Sequence, residues 1–217
     1  IYEQDFLSCS FAYRQAVSAR DAVRELAKTL QFGKFHYIVE ADIKGFFDNI
    51  DHDWLVKMLE QRVADKSFIR LIRKWLRAGV LDTNGKVLHP VTGTPQGGVI
   101  SPVLANVYLH YVLDLWFEKR VKPRCRGQAY LCRYADDFVA AFQHQEDAQK
   151  FYQELPERLA KFHLEITKDK TRLLRFNRFG DSGSFEFLGF EFRWGLDRKK
   201  RPCVQRRTAP KKFRGAL

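Results

Sequence analysis

Three aspartates carry the chemistry that this sequence can do. Asp136 and Asp137 are adjacent in RYADDFVAAF, residues 133–142, inside an otherwise apolar run. Two neighbouring carboxylates repel, so in a low-dielectric setting one pKa must rise or a cation must sit between them. A water-facing turn, a helix cap, or pairing with the chain's many Lys and Arg would each tolerate such a pair. The flanks argue for more: YLCRYA and FVAAF are apolar and strand-like, and the Gly, Asn or Pro of a water-facing turn is missing. Asp42 ends a second strand-like run, HYIVEADI (36–43), and KGFFD then turns away. A strand-end aspartate and an acidic hairpin together make a workable cage for two divalent cations. Mg2+ suits it, since that ion takes oxygen ligands, few of them carboxylates, and substrate phosphates for the rest. Two such ions can activate an attacking hydroxyl and stabilise the leaving oxygen of a phosphoryl transfer. Glu40 shares the strand face of Asp42, either as a group behind the ligands or as a partner for a base.

A third segment fits that chemistry. GTPQGGVISPVLANVYL, residues 93–109, packs Gly and Pro ahead of a helix. It reads as an ordinary loop, or as one whose glycines let a nucleotide or template approach the backbone, with Gln96 as donor and acceptor at a sugar or base edge.

The elements that must hold these residues follow from periodicity. Residues 18–31 place Ala22, Val23, Leu26, Ala27 and Leu30 on one helical face, with Ser18 as N-cap and Gly33 as stop. Helices are expected over 52–63, 67–78 and 145–162, and a long helix, apolar all round and so buried on several sides, from Gly97 to about Lys119. Asn84-Gly85 predicts a short hairpin, and strands are expected on both sides of the acidic pair and over 185–194. The order predicts an α+β fold with an antiparallel sheet packed on helices.

The chain has 217 residues and a net charge of +12, with a pI near 9.6. That balance points to an anionic partner, nucleic acid or an acidic membrane surface. No apolar run approaches the roughly 18–20 residues that span a bilayer, and no signal peptide opens the chain. Cys9, Cys125, Cys132 and Cys203 form no CxxC pair, so reduced thiols in an intracellular protein are expected rather than a zinc site or a disulfide framework. From residue 197 onward, DRKKRPCVQRRTAPKKFRGA holds nine Lys or Arg and one acid, Asp197, and reads as a solvated run or as a phosphate-contacting one. Ile1 in place of Met, and an end at KKFRGAL without a cap, suggest a piece of a longer chain.

Together, ADIKGFFDNIDH, GTPQGGVISPVLANVYLH and RYADDFV, in that order, resemble the motifs of group II intron-encoded reverse transcriptases (maturases). SFAYRQAVSARDAV resembles a fingers motif, LEITKDKTRLL the segment carrying Lys170 and Thr171, FEFLGFEF the primer-grip region around Gly189, and RRTAPKK the start of the lead into a thumb. The resemblance implies a polymerase palm-type sheet with a partial helical fingers subdomain: fingers in 1–35 and 52–92, palm in 36–51 and 93–196, and a basic segment, 197–217, leading toward a thumb. It implies an RNA-directed DNA polymerase that extends a primer 3′-hydroxyl with dNTPs on an RNA template. Two Mg2+ ions, or Mn2+ in their place, would be held by Asp42, Asp136, Asp137 and the Ile43 carbonyl. The backbone around Gly45 and Phe46 would meet the triphosphate, Phe47 would lie under the deoxyribose, and Gln96 and Gly97 would line the nucleotide pocket. Arg14 and Lys170 would reach phosphates, and Tyr134, Leu188 and Gly189 would lie against primer and template. Phe47 also reads as a core aromatic, and Arg14 and Lys170 as ordinary surface bases.

The implied partners are template and intron RNA, a DNA primer and dNTPs, with no membrane, in bacterial cytoplasm or an organelle rather than outside the cell; the oligomeric state stays open, a homodimer included. Gln15-Ala16-Val17 stands where the fingers motif carries a Pro-Gly-Arg-like stretch, so an arginine contact is lost there. A splicing cofactor that only binds RNA, or a reverse transcriptase of a retron or defence system, are the alternatives. An RNA-making polymerase is disfavoured by Phe47.

Overall fold

A computed structural model describes residues 1–77, 80–81, 87–88, 92–94, 100–179 and 181–209. The elements run α1 (Tyr2–Asp5), α2 (Ala19–Phe32), β1 (Tyr37–Ala41), α3 (His52–Leu59), α4 (Lys66–Arg77), β2 (Val80–Leu81), β3 (Val87–Leu88) and α5 (Ser101–Leu109). Then come β4 (Ala129–Tyr134), β5 (Asp137–Phe142), α6 (Gln145–Ala160), β6 (Arg172–Arg175), β7 (Phe185–Phe187), β8 (Phe190–Leu196) and β9 (Pro202–Thr208).

The central sheet is antiparallel in the order β4-β5-β1-β6, with Val39 opposite Ala140 and Leu173. Its side chains alternate between two apolar layers, as a period of two requires. Val39, Ala41, Leu131, Phe138, Ala140 and Phe142 pack with α3, α5 and α6. Ile38, Cys132, Val139 and Ala141 pack on the other face with α2 and with Phe185, Phe187 and Phe192 of a second sheet, β7-β8-β9. Both faces of β5 are covered, which is why DFVAAF is an unbroken apolar run after its aspartate.

The expected helix caps are present, with one change of mechanism. Ser18 accepts from the backbone N–H of Asp21, and Asp21 accepts from that of Ser18, a reciprocal box. Gly33 ends α2 at φ −83°, not in the left-handed region. It is needed for space: a Cβ there would lie 2.3 Å from the Phe35 ring and 2.7 Å from the Thr29 carbonyl. α5 starts at Ser101, later than expected, with Pro102 in its first turn, and nearly all of it is buried. It continues through wide π turns at His110–Asp114 and Phe117–Val121. β2 pairs with β3 as expected, while the Asn84-Gly85 turn lies outside the described residues.

The basic tail is more than a solvated run. β9 pairs with β8 from Pro202 to Thr208, and Gln31 of α2 clasps it, its Nε2 donating to Pro202 O at 3.2 Å and its Oε1 accepting from Val204 N at 2.6 Å. Asp197 closes the β8–β9 turn by accepting from Lys199 N and Arg201 N, both at 2.8 Å.

Ahead of α2 the backbone is strained. Ala16 is exposed and sits at φ 59°, where a Cβ costs about 1–2 kcal/mol. Ala16→Gly is therefore expected to stabilise the chain by roughly 0.5–1 kcal/mol after the added freedom of the unfolded state is subtracted. A lower urea midpoint for the variant would contradict this.

Candidate active site

The turn between β4 and β5 consists of Ala135 and Asp136, with Tyr134 opposite Asp137. Ala135 takes φ 55°, the left-handed region, which glycine fills more easily. Arg133 holds it there. The Arg133 side chain is fully buried, and each of its five N–H groups has an acceptor. Nε and Nη2 grip Asp114 at 2.7 and 2.6 Å; Nη1 donates to Asn106 Oδ1 and to the Ala135 carbonyl, both at 3.0 Å; Nη2 also donates to Ser10 Oγ at 2.8 Å. A regular α-helix would rotate Asp114 about 80° away from Asn106, eight residues earlier. The π turn at His110–Asp114 takes up part of that rotation.

Asp42 arrives at the same end of the sheet because β1 lies beside β5. Ala41 faces Phe138, so one residue further brings Asp42 opposite Asp137. Beyond Asp42 the chain is pinned to 165–167: Thr167 N donates to Asp42 O and Lys44 N to Glu165 O, both at 2.8 Å. This bridge leaves the Ile43 carbonyl out of its bonding. The turn Lys168–Lys170 follows, and Lys170 Nζ reaches Asp42 Oδ2 at 3.1 Å.

The resulting cleft, about 510 Å³, is lined by Asp42, Asp137, Lys170, Leu188 and Gly189 among others. Leu188 and Gly189, at φ 51° and 78°, form the β7–β8 turn, and positive φ at both positions matches a type I′ hairpin. This turn presents the Leu188 N–H to Asp137 Oδ2 at 3.3 Å. Glu40 is held by Arg172 at 2.8 Å, as an ordinary partner for a base.

The Asp137 carboxyl is pushed up to about 6, first by burial, then by Asp136, Glu40 and Asp42; the Leu188 N–H works against the rise. Asp136 is also raised, again first by burial, with Asp42 adding and Lys170 and Arg133 opposing. Repulsion within the pair thus contributes less than removal from water. Among the described residues no three His, Cys, Asp or Glu side chains gather closely enough to hold one metal ion. The donor set is oxygen only, and its excess negative charge in a half-buried cleft suits a hard divalent cation.

The other expected residues divide. Gly45 (φ 52°) opens the turn Phe46–Asp48. Phe46 is buried, whereas Phe47 is half-buried, packed on the core and edge-on to Phe46 at 5.3 Å. This turn anchors the start of the glycine-rich segment. Thr94 N donates to Phe47 O at 2.9 Å, Gly93 N donates to Ile50 O at 2.8 Å, and His52 Nε2 meets Gly93 O at 2.6 Å. A Cβ on Gly93 (φ 87°) would strike Phe47 O at 2.8 Å. Gln96 and Gly97 lie outside the described residues. Tyr134 packs with the α2-side core. Arg14 is tied down structurally: Nε meets Glu3 at 2.9 Å, and Nη1 donates to the Leu7 and Ser10 carbonyls at 3.0 and 2.8 Å. It is not among the residues lining the cleft.

Sequence reasoning missed the Arg133–Asp114–Asn106–Ser10 group and His52. A signal was present: Asp114 is an acid within an apolar helix and Arg133 a base within an apolar strand, so each needs a buried partner.

The sequence profile of the family described as "Reverse transcriptase (RNA-dependent DNA polymerase)" matches residues 5–192. The chain belongs to that family. Its relatives include the group II intron-encoded protein LtrA of Lactococcus lactis subsp. cremoris, 33% identical over 193 residues, 83% of this chain and 31% of LtrA. Another is a 91 kDa protein in the cob intron of Schizosaccharomyces pombe, 42% identical over 118 residues, 54% of this chain and 14% of that protein. The chain thus spans about a third of LtrA's length. The fold matches apo telomerase from Candida tropicalis with a TM-score of 0.66 at 15% identity, over 88% of this chain and 37% of that one.

Two outcomes follow from the electrostatics. Arg133→Met strands Asp114 in the core and is expected to cost about 3–5 kcal/mol, whereas Arg133→Met with Asp114→Leu should recover much of that loss. Urea unfolding compares them, and a double variant no more stable than the single one would contradict the assignment. A carboxyl raised on folding destabilises the folded chain progressively as pH climbs from its unfolded to its folded value. Its contribution is therefore most favourable below the unfolded value near 4 and lost as pH rises through about 6. In chelator, Asp137→Asn should stabilise the chain at pH 7.5 and lose that advantage by pH 4. An equal effect at both values would contradict the burial of Asp137.

Proposed function

We propose that this chain is the polymerase core of a reverse transcriptase of the group II intron type, with palm in 36–51 and 93–196 and fingers in 1–35 and 52–92. The observation that carries this reading is the meeting of Asp42 with the Asp136-Asp137 turn at the end of two neighbouring inner strands of an antiparallel sheet, Asp42 and Asp136 being 94 positions apart in sequence. Asp42, Asp136 and Asp137, with the Ile43 carbonyl, would hold Mg2+ or Mn2+. Such ions supply charge neutralisation and activation of a primer 3′-hydroxyl.

The chain's own residues do the positioning, which dominates phosphoryl-transfer catalysis. The left-handed Gly45 opens a turn whose first N–H groups lack partners within the turn and are suited to the triphosphate of a dNTP. Lys170, exposed beside Asp42, is placed to exchange that carboxylate for a phosphate oxygen. The Leu188–Gly189 turn, against Asp137, would steady the primer end. Phe47 would lie under the sugar and exclude a 2′-hydroxyl. The net charge of +12 serves the RNA template. The matches to intron-encoded proteins favour the intron type and extend the reading to intron RNA as a partner.

Primer extension on an RNA template with dNTPs and Mg2+ tests this in the full-length protein. Asp42→Asn or Asp136→Asn is expected to abolish extension while leaving RNA affinity nearly intact; extension at the wild-type rate by either would remove the assignment. Phe47→Ala is expected to raise ribonucleotide incorporation, and unchanged sugar discrimination would take Phe47 out of that role.

A further inference from the structure

A second cleft, of about 420 Å³, opens at the end of β1 away from Asp42. His36, Tyr37, His144, Arg175, Arg178 and Phe179 line it together with amide side chains, and among the described residues no carboxylate does. Arg175 donates through Nε and Nη2 to the Asn177 side-chain oxygen at 2.6 and 2.9 Å. Arg178 lies over the rings of Phe179 and Trp194, at 5.6 and 5.9 Å. Among the described residues neither guanidinium has an ion-pair partner. The neutral amide fixes the Arg175 fork without cancelling its charge. Phe179 is 72% exposed beside these cations.

Cations alone would suit any anion. An exposed ring next to them suits an anion that carries a flat apolar face, and a single nucleic-acid strand has both. We propose that this cleft binds single-stranded RNA, with Arg175 and Arg178 on successive phosphates and Phe179 stacked on a base. The proposal rests on the reading of the chain as an RNA-handling enzyme, and it adds a contact remote from the carboxylates. β1 has five residues, so the two clefts stand roughly 17 Å apart along the strand. About five stacked nucleotides at roughly 3.4 Å each bridge that distance.

Fluorescence anisotropy of a labelled single-stranded RNA 12-mer, titrated with the full-length protein across a salt series, tests the site without reading activity. Arg175→Gln with Arg178→Gln is expected to flatten the log affinity against log salt plot by about 1.4, two phosphate contacts at roughly 0.7 each. Phe179→Ala should weaken binding roughly 5- to 150-fold at every salt concentration and leave the slope unchanged. All three side chains are exposed, so the variants should keep the wild-type urea midpoint. Wild-type affinity and slope in both variants would overturn the site. So would displacement of RNA by inorganic phosphate at constant ionic strength with no effect of Phe179→Ala, which would mark a free-anion site. Failure of the wild-type protein to bind RNA at all would instead overturn the functional reading from which the proposal starts.

Discussion

One buried ion pair sets the geometry around it. Arg133 and Asp114 are both wholly removed from water, a transfer that costs several kcal/mol per ion and is offset only when geometry and hydrogen bonding are complete. Here they are complete. The guanidinium meets Asp114 at two points and spends its remaining donors on Asn106, Ser10 and Ala135. Three separate stretches of chain are therefore tied together: the N-terminal segment, α5 with its π turn, and the acidic hairpin. The backbone repeats the connection, with Arg133 bonded in both directions to Cys9 and Phe11, and Asn106 donating to Ala12 O at 2.6 Å. An apolar pair would fill the space at lower cost. It would not offer a donor to the Ala135 carbonyl, and that bond is what ties the strained turn to the core.

The acidic cleft then follows as an arrangement kept against its own electrostatics. Asp137 stays half-buried beside Asp136, Glu40 and Asp42; a backbone N–H answers it directly, while Arg172 pairs with Glu40 and the exposed Lys170 with Asp42. The N–H comes from Leu188, itself held at positive φ. Two of the chain's positive-φ residues, Ala135 and Leu188, thus flank Asp137, where backbone strain is tolerated because position matters.

Much of this was legible in the sequence, because the signals were local. Period-2 and period-3.6 patterns locate strands and helices, and the strand–Asp and Asp-Asp features mark the ends that meet. The misses were non-local. Asp114 and Arg133 lie 19 positions apart in different elements, and no local pattern says which buried charges will pair. The π turn that aligns Asn106 with Asp114 has no spacing signature in an all-apolar helix. Gly33 shows the same limit from the other side. Its place at the helix end was readable, but its reason, the ring of Phe35, depends on how the following loop folds back. The rise of the Asp137 carboxyl was readable from adjacent charges, yet its larger cause, burial, depends on the second sheet covering that face.

The central strand also separates two kinds of charge. At its C-terminal end lie carboxylates, which no phosphate can approach without a cation between them. At its N-terminal end lie Arg175 and Arg178, which have no acidic partners among the described residues and would meet a phosphate directly. A nucleic-acid strand laid along the sheet would therefore be gripped at one end by the protein alone. At the other it would be gripped only when the acidic cleft has been neutralised. Binding and chemistry would then answer to different conditions. Salt screens the arginine end, whereas the carboxylate end responds to pH near the raised Asp137 value and to divalent cation. A uniformly basic surface would couple the two; the polarity along β1 keeps them distinct.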